Sequence, residues 1–284
     1  VRQRLALLTI AGSMLLAGCQ SGGAAPLGVG PSNADTPSPS ALTSTSGAPA
    51  GTSSSAPAST SPTTATPAGA RVVVLDAGHN GGNGAHPAEI NKQVPAGRGQ
   101  TKPCNTTGTA TNAGYPEHAF NFDVAERVGA ALSAHGIKVV YTRPDDSHVG
   151  PCVDKRAAAG NSADAAAVVS IHADGSNSSG ARGFHVAYSS PPLNAQQGEP
   201  STRLAKTLRD GLRSAGFTSA NYIGQDGLAP RDDLAGLNLS TRPAALIECG
   251  NMRDASEAAA MSSAEGRGRY AVAIAAAIET YLGT

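Results

Sequence analysis

The chain has 284 residues, with 21 basic and 21 acidic side chains and a formal net charge of zero. Nucleic-acid binders usually carry a basic excess or stripe, so that class is set aside. With 15% charged residues, 4% aromatic residues and no Trp, the average is weighted by one low-complexity segment and says little about the foldable part.

The chain opens on a basic stretch, "VRQR", followed by the apolar run "LALLTIAGSMLLAG". That run is too short to span a bilayer comfortably and reads as an export signal. It ends in "LLAGC", which resembles the lipobox of bacterial lipoproteins, so residues 1–19 are expected to be a signal segment with lipid attached at Cys19. The alternative is ordinary secretion with an incidental cysteine. Residues 20–70 are Ser, Thr, Pro, Ala and Gly with almost no large apolar side chains. Such a composition cannot bury enough surface to offset its ordering entropy, and a disordered tether is expected. Flexible-chain scaling gives it a reach on the order of 40 Å.

Residues 71–284 suffice for one α/β domain with a sizeable core. "RVVVLDA" is a continuous apolar run, the pattern of a strand covered on both faces. Residues 78–115 form a long Gly/Pro/Asn-rich connection, a length that points to function. A helix follows over residues 116–136, with Pro116 in its first turn, Phe120, Val124, Val128 and Leu132 at helical spacing, and Gly136 past its end. "IKVVYTR" is a strand, "VDKRAAAGNSA" partly a helix, and "AAAVVSIHAD" a buried strand. "GARGFHVAYSS" is a strand, "STRLAKTLRDGLRSAG" a helix, "AALIECGN" a buried strand and "GRGRYAVAIAAAIETYLG" the closing helix. Strands alternating with helices predict a twisted, mostly parallel sheet covered by helices on both faces.

Cys104 and Cys152 lie in Pro/Gly-rich loops and are expected to form a disulfide, in keeping with an oxidising compartment. Cys249 ends an apolar strand and reads as a buried free thiol. Pairings of Cys249 with either loop cysteine, or three free thiols, are the alternatives.

Three buried strands end on a chemical residue: His79, His172 and Glu248. The crevice beyond the carboxyl ends of such strands is where open α/β sheets bind ligands. Two histidines and a carboxylate make a common zinc set in hydrolases, with a coordination position left for water. Glu117, in the first turn of its helix, fits as the third ligand, although an acidic residue there also suits the helix dipole. Asp76 and Asp174 flank the histidines, either as acceptors orienting them or as solvated loop carboxylates.

"LDAGHNGG", "YPEHAFNFDVAERVGAAL", "VVYTRPDD", "RAAAGNSADAAAVVSIHAD" and "PAALIECGNMRD" occur in this order. Together they resemble the zinc-dependent N-acetylmuramoyl-L-alanine amidases of the Amidase_3 family, over most of residues 71–284. The likeness is greatest to the compact, disulfide-bearing mycobacterial type. Each motif alone is weak and the ordered set is specific. The resemblance implies zinc (Zn2+) held by His79, Glu117 and His172, a catalytic Glu248, and peptidoglycan or muropeptides as substrate. The bond cut would join N-acetylmuramic acid to L-alanine. Cys249 beside Glu248 departs from the pattern, since many relatives have a small residue there. A plugging helical insertion is not evident in residues 190–238, so an unblocked site is expected. A zinc peptidase acting within the stem, or a non-catalytic wall-binding lipoprotein, are the competing readings.

The other histidines rank lower. His118 adjoins Glu117, but adjacent helix positions point apart. His135 precedes Gly136 and reads as a helix-end residue, and His86, His148 and His185 show no matching partner. Arg231 is either a stem-peptide contact or a surface charge. A nucleophile-elbow pattern for serine hydrolysis is not seen. A monomer is expected, exported and anchored to the outer face of the membrane through Cys19, with no nucleic-acid partner.

Overall fold

The structure is a computed structural model that describes residues 71–284. Cys19 and the Ser/Thr/Pro-rich segment lie outside the described residues. In chain order the elements are β1 (Val72–Ala77), a 3-10 turn (Gly81–Ala85), α1 (Pro87–Ile90), β2 (Gln93–Gly97) and β3 (Gln100–Pro103). Then come α2 (Glu117–Ala134), β4 (Lys138–Tyr141), α3 (Val153–Ser162), β5 (Ala167–Asp174) and β6 (His185–Ser189). A second 3-10 turn (Ala195–Gln197) leads to α4 (Glu199–Ser214), β7 (Leu228–Arg231), α5 (Ala235–Asn238), β8 (Ala244–Asn251), α6 (Ala255–Ser262) and α7 (Ala264–Leu282).

Six strands form one sheet in the order β4-β1-β5-β8-β6-β7. The pairs β1–β4, β1–β5 and β5–β8 are parallel, and β6 runs antiparallel to β8. β1, β5 and β8 are adjacent and parallel, so their carboxyl ends open on one edge. That places the residues singled out at these ends, His79, His172 and Glu248, beside one another.

Alternation along β1 sorts its side chains to two faces. Val73, Leu75 and Ala77 join the larger core, under α2, α4 and α7. Val74 faces a smaller cluster with Val168, Ala187, Leu237 and Ala244. The larger core is built from helical stripes spaced four apart: Phe120, Val124, Val128 and Leu132 on α2, and Leu204, Leu208 and Leu212 on α4. Tyr270 of α7 meets Phe120 edge to face at 5.6 Å and stacks on Phe217 at 4.2 Å. The four-residue helix α5 supplies Leu237 to the smaller core.

The long connection after β1 is not a bare loop. It holds the first 3-10 turn, α1 and the β2–β3 hairpin, whose turn residues Arg98 and Gly99 both have positive φ (54° and 71°). β7, α5 and α6 are three further elements beyond the sequence-based expectation, and β6 is shorter than the strand expected over residues 180–190. Cys104 and Cys152 are joined by a disulfide, and Cys249 is buried and free. No helix among the described residues is long and apolar enough to cross a membrane.

Candidate metal centre

Beyond the ends of β1, β5 and β8 lies a cleft of about 540 Å3, lined by His79, Glu117, His172 and Glu248 among others. His79 Nε2 stands 3.1 Å and His172 Nδ1 3.0 Å from the same oxygen, Glu117 Oε1. The two imidazoles meet edge to face, with centroids 4.9 Å apart. One donor atom from each of His79, Glu117 and His172 lies within 4.8 Å of the others. Two imidazoles and a carboxylate converging in this way fit a borderline cation such as zinc.

The backbone makes room for this convergence. A Cβ on Gly78 would fall 2.1 Å from His172 Cε1, so the imidazole packs directly over the glycine. Gly108, at φ +75°, would bring a Cβ within 2.6 Å of Glu117 Oε2. His79 itself has φ 60°, a left-handed conformation that costs a non-glycine residue roughly 1–2 kcal/mol. Two buried arginines hold it there. Arg156 Nη2 donates to the His79 carbonyl at 2.7 Å and its Nη1 to the Ala77 carbonyl at 2.6 Å. Arg143 Nε donates to Ala77 at 2.8 Å and its Nη2 to Gly78 at 3.3 Å.

Thr106 sets the orientation of His79: its carbonyl oxygen is 3.1 Å from Nδ1. A proton on Nδ1 then leaves the Nε2 lone pair facing the other donors. Glu117 receives the Thr109 amide at 2.9 Å, the Ala173 amide at 3.2 Å and the Asn121 side chain at 3.2 Å. Asn121 is one helical turn beyond Glu117, the i,i+4 spacing that puts both on one face of α2. Burial alone would raise the Glu117 pKa, but the neighbouring His79, with hydrogen bonds from both histidines, holds it well below the usual carboxylate range.

Glu248 behaves in the opposite way. It is the cross-strand partner of His172 in β5–β8 and of His185 in β6–β8. Its Oε2 is buried without a hydrogen-bond partner. Burial, then the charges of Glu117 and Asp174, push its pKa well above the ordinary value. Two nearby carboxyl groups whose environments drive their proton affinities apart are suited to different roles.

The aspartates serve other partners than the histidines. Asp76 points with Val74 toward the α3 side, where it accepts from Arg156 at 2.8 Å, Ser170 at 2.7 Å and Thr142 at 2.6 Å. Asp174 accepts from the Tyr222 hydroxyl at 3.0 Å. Neither hydrogen-bonds to His79 or His172. His118 pairs with Asp146, His86 with Glu89, His148 with Asp145 and His135 with Glu279, all with their Nδ1 atoms. Arg231 grips Asp233 with two bonds of 2.7 Å. Within residues 190–238, α5 borders the cleft through Ala235 and Leu237, while α4 packs in the larger core.

Sequence reasoning missed Thr106, Thr109, Asn121, Arg143 and Arg156. Asn121 could have been found from its spacing after Glu117. An arginine closing the strand "VVYTR" was a second signal, because a charge there needs a buried partner. His185 was passed over because no motif marks it.

A parallel-rich α/β sheet with a His, Glu, His donor set that could hold a metal ion at its carboxyl edge, and a separate carboxyl lining the cleft beside it, is an arrangement suited to metal-assisted hydrolysis. The chain belongs to the Amidase_3 family, N-acetylmuramoyl-L-alanine amidase, whose family model matches residues 73–280. It is 51% identical over 223 residues to N-acetylmuramoyl-L-alanine amidase Rv3717 of Mycobacterium tuberculosis, covering 78% of this chain and 91% of that protein. The crystal structure of the amidase Ami1 of Mycobacterium smegmatis superposes with a TM-score of 0.73 at 54% identity, over 75% of this chain and 97% of that one. The apo Ami1 of Mycobacterium abscessus gives 0.72 at 54% identity, over 75% and 98%.

Proposed function

We propose that this chain is a zinc-dependent peptidoglycan amidase that hydrolyses the bond between the lactyl carbonyl of N-acetylmuramic acid and the nitrogen of L-alanine. The observation that carries the reading is the convergence of three donors within 4.8 Å, with Glu248 directly across the strand pair from His172. Family membership and 51% identity to a named amidase supply the substrate class. His79, Glu117 and His172 would hold the zinc. When bound there, zinc would supply Lewis-acid polarisation of the scissile carbonyl and a water acidic enough to react near neutrality.

Glu248, which lines the cleft, takes a proton from the attacking water. The water oxygen bonds to the carbonyl carbon. Glu248 then delivers the proton to the alanine nitrogen as the carbon–nitrogen bond breaks, leaving a free amine and a carboxylic acid that gives its remaining proton to solvent. Glu117, held ionised, stays a ligand.

Residues 1–19 act as a lipoprotein signal, Cys19 carries the lipid, residues 20–70 tether, and residues 71–284 catalyse. The "LLAGC" pattern and the low-complexity composition support this arrangement. The domain then works from the outer face of the membrane. The test is to incubate the zinc-loaded protein with muropeptides and weigh the products. Release of an intact stem peptide with a free alanine amine is expected. Fragments cut within the stem would mark a peptidase, and unchanged muropeptides a binding protein.

A further inference from the structure

Besides the two histidines, three groups bond the carboxylate of Glu117. Two are backbone amides, those of Thr109 and Ala173. The third is the side chain of Asn121, the only side chain other than the imidazoles that bonds Glu117 among the described residues. Its Nδ2 donates at 3.2 Å to Glu117 Oε1, the oxygen that both imidazoles face, and at 3.3 Å to the Gly78 carbonyl. Gly78 precedes His79 in the chain and lies directly under the His172 ring. One amide group therefore touches a ligand side chain and, through Gly78, the backbone that seats the other two.

The fold gains little from this amide. Asn121 is fully buried and its Oδ1 has no partner. Gly78 O and Glu117 Oε1 are both acceptors, so the NH2 end must face them and the carbonyl end is turned away. A buried acceptor left unpaired costs stability, and asparagine is a weak helix former at the interior position it holds in α2. Removing the amide would orphan neither acceptor. Gly78 O also receives Arg143 Nη2, and Glu117 Oε1 also receives the Ala173 amide. What is lost without Asn121 is the donor that reaches Glu117 from its own helix.

We infer that Asn121 is a positioning residue for the metal ligands: its NH2 group holds Glu117 Oε1 where the two imidazoles converge, so the donors are arranged before a cation binds. This rests on the zinc reading above. Outer partners of this kind are worth about 10–100-fold in metal affinity.

Asn121→Leu and Asn121→Ala in the full chain test this against wild type. Leucine keeps the branched skeleton without the amide, and alanine removes the bulk as well. Each protein is stripped of metal, melted, and titrated with zinc in competition with a chromogenic chelator. Asn121→Leu should melt close to wild type and Asn121→Ala lower, while zinc affinity falls about tenfold or more in both. Affinity that fails in both variants despite their different melts is the mark of positioning, since a structural role would make it follow the melt. Unchanged zinc affinity in folded Asn121→Leu would overturn the inference, and if that variant does not fold, unchanged affinity in Asn121→Ala would do so. Failure of both to fold would assign Asn121 to the fold and overturn it too. Equal affinities in wild type and variants sink this inference alone, whereas a wild type that takes up no zinc sinks the zinc reading and this inference with it.

Discussion

At the scale of single residues, the clearest expectation concerns Glu248. Glu248→Gln keeps the shape and removes the base, so zinc content should stay near wild type while muropeptide hydrolysis falls on the order of 10²–10⁴-fold. Near wild-type turnover in that variant would remove Glu248 from the chemistry. His79→Ala should lose most of its zinc, by mass spectrometry, yet melt as a folded domain, because the imidazole lies past the strand end while the core is filled by other residues. His185 makes a pH prediction. Burial, assisted by Arg231 and opposed by Asp174, lowers its pKa from 6.5 to about 4. Between those values the unfolded chain binds a proton that the native state refuses. Its contribution is complete above pH 6.5 and is lost as the pH falls toward 4, by about 3 kcal/mol at the limit. Melting temperature followed from pH 7.5 to 4 should fall less steeply in His185→Gln than in wild type; parallel curves would assign the acid sensitivity elsewhere. His79, Glu117, His172 and Glu248 were legible because each sits at a predictable element end. The brace of Arg143 and Arg156 was not, because it links residues 66 and 79 apart in sequence.

At the scale of elements, α4 shows how independently the core and the site are built. Leu204, Leu208 and Leu212 face the larger core, away from the cleft. Leu208→Ala should cost about 2–5 kcal/mol in urea unfolding through the cavity it leaves, with zinc content unchanged below the transition. Loss of metal in the folded variant would show that the packing of α4 reaches the site. The principal strands and helices were readable from their apolar periodicity. The elements that escaped each have a physical reason. β7 is four residues long and contains Pro230, which only an edge strand tolerates easily. The β2–β3 hairpin is mostly exposed, and it turns on Arg98-Gly99 where Asn-Gly is the usual signal. α6 did announce itself, through Asp254 three residues before Glu257, the spacing of a capping box. There the aspartate caps as expected, but Glu257 leaves the box to bind the amides of Gly183 and Asn251.

At the scale of the whole molecule, the six-stranded sheet presents its chemistry at one edge, while the larger core lies under α2, α4 and α7. Cys104 follows β3 and Cys152 precedes α3, and their disulfide bridge closes a loop of sequence separation 48 that contains Glu117. The chain-entropy model gives such a closure about 4 kcal/mol. Thr106, which orients His79, lies two residues from Cys104. The double variant Cys104→Ser, Cys152→Ser should therefore melt lower and bind zinc more weakly, and competition with a chelator would measure the second effect. On the export and the metal site proposed above, the bridge would act as a clock for assembly. In a reducing compartment the segment beside His79 would have no anchor at Cys104, and the proposed metal site of the newly made chain would be unfinished. Oxidation outside the cell would complete it, so the ability to cut cell wall would arise only where there is wall to cut.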